Sequence, residues 1–104
     1  MTLFEKIISR EIPATIVFEN ENIIAIEDIN PQAPVHILVI PKKPIPTIAD
    51  AEISDQLLLG ELILTAKNIA SEKKLEGYKL NFNVGEKGGQ EIFHIHLHLL
   101  GGWE

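Results

Sequence analysis

Apolar residues change their spacing along this 104-residue chain, and the spacing marks its elements. Phe4, Ile7 and Ile8 recur at helical intervals behind Thr2 and Glu5, a pair with the three-residue offset of a capping box. A helix is therefore predicted from about Thr2 to Arg10, stopped by Pro13. Two short strands follow, Thr15–Phe18 and Ile23–Glu27. The turn between them is Glu19–Asn22, because Asn tolerates left-handed backbone angles. Asn30–Pro34 reads as a loop, and Val35–Ile40, rich in β-branched and aliphatic side chains, as a buried strand. Pro41, Pro44 and Pro46 make the next connection irregular.

A long helix is expected from Ser54 as N-cap, with Asp55 in its first turn, to about Leu75, and Gly77 just past its end. Leu57, Leu58, Leu59, Leu62, Ile63, Leu64 and Ile69 spread over more than the roughly 100° stripe that one sheet face requires. The surplus predicts a second buried face against another copy of the chain, rather than a helix simply more enclosed by its own domain. Tyr78–Val84 and His94–Leu100 supply the fourth and fifth strands, joined by the glycine-rich turn Gly85–Gln90. Strands dominate and connections are short. The expected class is α+β, a mostly antiparallel five-stranded sheet with two helices, in a single domain spanning 1–104.

Three of the four histidines fall at His94, His96 and His98. Alternate residues of a strand share a face, so the three imidazoles form one row while Ile95, Leu97 and Leu99 point the other way. A purely structural row would leave three polar rings each needing a partner. Three histidines could hold zinc with one open position. Same-face neighbours on one strand, however, lie in a line about 7 Å apart. Convergence on a metal would need a remote ligand, and His36 is the candidate. The other reading is nucleophilic catalysis, since neutral imidazole attacks well near pH 7. The adjacent Gly85–Gln90 turn can aim backbone N–H groups at an anion and so favours a phosphorylated ligand. Alternation alone does not choose between metal and covalent chemistry.

Composition narrows the partners. No apolar run reaches the roughly 18 residues of a membrane span, and Met1–Lys6 is charged before any long apolar stretch forms, unlike a secretory signal. There is no cysteine, so neither disulfides nor thiolate metal sites are expected. A cytoplasmic enzyme or binding domain is the expectation. The formal charge of −6 disfavours nucleic-acid binding, which needs a basic footprint, but not a single phosphorylated ligand.

The strand His94-Ile95-His96-Leu97-His98-Leu99-Leu100 resembles the His-φ-His-φ-His-φ-φ signature of the histidine triad family, φ being apolar. The likeness extends to Gly89-Gln90, Gly101-Gly102, Asp28–His36, Leu38–Lys43 and Phe4–Ala14, nearly the whole chain. The nearest branch is similar to the nucleotide-binding, purine nucleoside phosphoramidase members. The resemblance implies a homodimer with the sheet continued across both copies. It implies a purine nucleotide substrate, an AMP or GMP moiety joined to an amine, cleaved through a nucleotidyl-histidine on His96. Dinucleoside polyphosphate hydrolysis and a non-catalytic nucleotide-binding module are the alternatives. His98 would bond the phosphoryl group or leaving atom, while His94 and His36 would orient the nucleophile. Asn83 and the Gly89 backbone would hold phosphate oxygens, and Asp28 the ribose hydroxyls. Phe4, Ile7, Ile26, Ile29 and Leu38 would line the base pocket. No metal or other cofactor is implied. Two departures stand out. Glu91 occupies a position where many members carry Ser, and only Trp103-Glu104 follow Gly101-Gly102 where a longer tail is common. Both bear on the leaving group: either Glu91 points away and only its backbone N–H serves, or it contacts a cationic amine on the substrate.

Overall fold

The computed structural model describes residues 1–104. Its elements are α1 (Leu3–Ile8), β1 (Ile16–Glu19), β2 (Ile23–Glu27), β3 (Val35–Pro41), α2 (Gln56–Glu72), β4 (Tyr78–Asn81) and β5 (Leu97–Gly101). The strands form one sheet in the order β1-β2-β3-β5-β4, and every neighbouring pair is antiparallel. The class is α+β with a helix on each face, as the spacing predicts. Neither helix is long and apolar enough to cross a membrane.

Period-two alternation sorts the side chains between two cores. Ile23, Ala25, Ile37, Val39, Leu97 and Leu99 face Leu62, Ala66 and Ile69 of α2. Ile24, Ile26, Leu38 and Ile40 face Phe4 and Ile7 of α1. The predicted capping box holds α1 at its start, with the Glu5 N–H donating to Thr2 Oγ1 and the Thr2 N–H to Glu5 Oε1.

Several boundaries differ from expectation. The Asn20–Asn22 turn uses no left-handed Asn; Asn20 Oδ1 instead accepts the N–H groups of Asn22 and Ile23. Ser54 does not cap α2. It lies in a 3₁₀ turn over Ile53–Asp55, and the helix starts at Gln56. Asp55, the N-cap, turns its carboxylate to Lys43 Nζ (2.5 Å) and to the Glu52 N–H (2.9 Å). The Lys43 ammonium holds that carboxyl below its ordinary range. At the other end α2 stops at Glu72, three residues before the expected Leu75, because Lys74 takes the left-handed position assigned to Gly77 (φ 57°). The N–H groups of Lys74 and Leu75 then close onto Ser71 O and Ala70 O, the paired bonds of a Schellman motif. Arg10 (φ 69°) ends α1 in the same way.

β4 leaves the ladder at Asn81, not Val84, and β5 begins at Leu97, not His94. The second difference has a clear cause. Val39 pairs with Leu97, so Pro41 would stand opposite Ile95, and proline has no N–H to extend the ladder. The Ile95 N–H goes instead to Ile45 O (2.8 Å). His94 and His96 therefore precede the paired strand while keeping its alternation.

Leu57, Ile63 and Leu64 of α2 lie open to solvent in the single chain, Leu57 at 88% exposure, as do Tyr78 and Leu80 on the edge strand β4. The three α2 residues belong to the apolar surplus read from the helix sequence.

Candidate active site

His98 stands on β5 opposite Leu38 of β3, in a row that continues to Ile26 of β2. α1 lies over the same face and lays Phe4 against the histidines. The Phe4 ring meets His96 edge-on at 4.9 Å between centroids and His94 at 6.0 Å. His96 and His98 are 4.9 Å apart, and His36, on β3, is 5.2 Å from His98. The alternation thus gives one imidazole face, with Ile95, Leu97 and Leu99 in the opposite core.

Main-chain partners fix the proton on each ring. A carbonyl only accepts, so His94 donates from Nε2 to Pro41 O (2.6 Å) and His96 from Nδ1 to His94 O (2.8 Å). His96 Nε2 is left as an unprotonated lone pair. The Gln32 N–H donates to His36 Nδ1 (3.0 Å), so the proton of that ring sits on Nε2, which donates to His98 Nδ1 (2.9 Å). His98 therefore carries its proton on Nε2, a buried atom with no protein partner. Asp28 Oδ2 lies 3.5 Å from His36 Nε2, and its Oδ1 accepts the Asn30 N–H. One ring presents a nucleophilic nitrogen and the next a donor.

Burial reinforces the neutral state. It holds His96 below the ordinary histidine value, against the opposing pull of its hydrogen bond to His94 O, and burial together with His96 and His36 pushes His98 down to about 4. A depressed histidine pKa contributes stability that is complete above the unfolded value of about 6.5 and is lost as pH falls from there towards the folded value. Proton-coupled carbon shifts of the two rings are expected to titrate below 6.5, His98 near 4. Midpoints at or above about 6.5 would show the rings to be ordinary exposed histidines.

A cleft of about 620 Å³ opens over this face. It takes in every candidate residue except His94, which is fully buried behind it. Phe4, Ile7, Ile26 and Leu38 belong to its apolar part, with Leu3, Ile12 and Ile92 beyond them, and Ile29 projects at the rim, 86% exposed. Asp28 and His36 border the triad strand on the β2–β3 side, and Asn83, just past β4, with Gly89 beside it, on the other; Glu91 also lines the cleft. Asn83 Oδ1 accepts from Asn81 Nδ2 (2.9 Å), which leaves the Asn83 amide nitrogen free to donate.

The glycine turn does not work as the sequence suggests. The N–H groups of Gly88, Gly89 and Gln90 donate inside the loop, to Gly85 O, Glu86 O and Gly85 O, and the Gly85 N–H to Gln90 Oε1. The Gly89 N–H is engaged within the turn, while Gly89 itself lines the cleft. Gly89 (φ 88°) gives the cleft an open backbone face beside Asn83. Gln90, buried and missed as a positioning residue, also donates from Nε2 to Pro46 O (2.7 Å) and Ile92 O (3.0 Å). It ties the loop to the proline-rich connection. The Gln32 N–H was missed too, because no side-chain pattern announces a main-chain donor.

Asp28, His36 and His98 bring ligand-type atoms within 4.8 Å of one another. To bind a metal, His36 would have to free Nε2 while Nδ1 still accepts from the Gln32 N–H. A neutral ring cannot meet both demands. The donor set does not fit a metal.

Residues 1–102 match the family model described as scavenger mRNA decapping enzyme C-term binding. An uncharacterized HIT-like protein of Synechococcus elongatus is 55% identical over 97% of this chain and 90% of its own length. The purine nucleoside phosphoramidase of Escherichia coli is 48% identical over 97% of this chain and 87% of its own length. A crystal structure of a HIT family hydrolase from Legionella pneumophila superposes with a TM-score of 0.97 at 54% identity, covering 100% of this chain and 95% of that one.

Proposed function

The chain belongs to the histidine triad family, and from that premise we propose that it hydrolyses the phosphorus–nitrogen bond of purine nucleoside 5'-phosphoramidates. The observation that carries this reading is the His96 ring. Its Nδ1–H is committed to His94 O, so a neutral Nε2 faces the cleft as nucleophile. That nitrogen attacks the α-phosphorus, the P–N bond breaks, and the amine departs with a proton from solvent. His98 Nε2–H steadies a phosphoryl oxygen or the leaving atom, and Asn83 donates beside it. Water then cleaves the nucleotidyl-histidine, releasing the nucleotide and restoring His96. The base rests on Phe4, Ile7, Ile26 and Leu38 with Ile29 at the rim, and Asp28 accepts from the ribose hydroxyls.

The test is mass spectrometry of protein quenched while turning over an adenylate amide. An adenylate on His96 is expected. AMP binding with neither adduct nor AMP release would instead make the protein a nucleotide-binding module. Cleavage of dinucleoside polyphosphates is the weaker enzymatic reading. Glu27, Asp28 and Glu91 line the cleft and no Lys or Arg does, a poor setting for a string of phosphates.

The same reading includes a homodimer. The exposed apolar residues of α2 and the free edge of β4 are surfaces a second copy would cover. Light scattering is expected to give twice the 11.6 kDa of the chain; a monomer at micromolar concentration would refute it.

A further inference from the structure

We infer that Glu91 selects substrates whose leaving group carries a positive charge, an inference that rests on the proposed phosphoramidase reading. Glu91 is exposed, lines the cleft, and makes neither a hydrogen bond nor an ion pair. It lies three residues before His94 in the chain and lines the same cleft as Asn83, His96 and His98. Asp28 is already engaged with the Asn30 N–H and lies beside His36, and Glu27 adjoins it at the end of β2. Of the three carboxylates lining the cleft, Glu91 is the one nearest the triad in the chain, and it has no partner.

No Lys or Arg lines the cleft. Arg10 and Lys42 pair with Glu19, and Lys43 pairs with Asp55. Lys79 sits over the Trp103 ring, and Lys87 is exposed in the glycine loop without lining the cleft. A bound phosphoryl group therefore meets an uncompensated carboxylate, which repels it. An ammonium on the departing group, placed between the two, turns that repulsion into attraction on both sides. The substrate class is an adenylate amide of a diamine, with one nitrogen on phosphorus and the other protonated at the far end.

Two adenylate amides of equal length test this, one ending in an ammonium and the other in a methyl group. Their kcat/KM values are compared on the parent enzyme, and their equilibrium affinities on His96→Ala protein, which cannot consume them. The ammonium ligand is expected to be favoured about fivefold, the upper end for an exposed ion pair. Glu91→Gln, or salt raised to about 0.5 M, should reduce the ratio to near one. A ratio of one in the parent, or one that Glu91→Gln leaves unchanged, overturns the inference. Glu91-dependent binding without AMP release would sink the phosphoramidase reading and leave the charge selection standing.

Discussion

In His96→Ala, release of AMP from an adenylate amide falls by at least about four orders of magnitude, the scale of losing a covalent nucleophile. No neighbour can replace it. His98 Nδ1 is occupied by the His36 proton and its Nε2 carries one of its own, while His94 is sealed behind the cleft. The substitution costs little stability, about 1 kcal/mol, because the ring borders an open cleft that water can enter. The measurement pairs steady-state AMP release with the unfolding midpoint. Turnover within tenfold of the parent, in a folded variant, would remove His96 from the role assigned to it.

Phe4→Ala is expected to cost about 3 kcal/mol, the lower end for an aromatic core deletion, out of a typical total of 5–15 kcal/mol. Phe4 is 1% exposed and sits against Ile24, Ile26, Leu38 and Ile40 on one side and two triad rings on the other. It is the main anchor of a six-residue helix too short to hold itself together. The low end applies because Phe4 also lines the open cleft, so the hole can partly collapse. Denaturant titration reads the loss as a lowered midpoint at unchanged slope. A loss under about 1 kcal/mol would show that α1 rests on the sheet rather than helping to build it.

The imidazole face was legible because a two-residue period is a property of extended backbone, whatever the chain does later. Local chemistry likewise exposed the α1 capping box, since Thr2 and Glu5 satisfy each other within one turn. What was not legible depends on partners distant in sequence. The start of β5 is set by Pro41, more than fifty residues upstream of Leu97. The start of α2 depends on Lys43 reaching Asp55. The glycine loop looked like an anion cradle until Gln90 and the loop carbonyls were found to take its N–H groups. The end of α2 was misplaced for a different reason. Glycine is the usual left-handed residue, but a long side chain such as Lys74 adopts that backbone at a cost of about 1–2 kcal/mol.

The proton positions on His94, His96 and His36 are written in main-chain atoms: Pro41 O, His94 O and the Gln32 N–H. Sites that set their rings with an acidic side chain can lose the setting by any change at that residue. Here almost any amino acid at position 32 would hold His36 as glutamine does; only proline, which has no N–H, would release it. The acid–base pattern is inherited through the shape of the chain, and is largely sheltered from drift in the side chains around it.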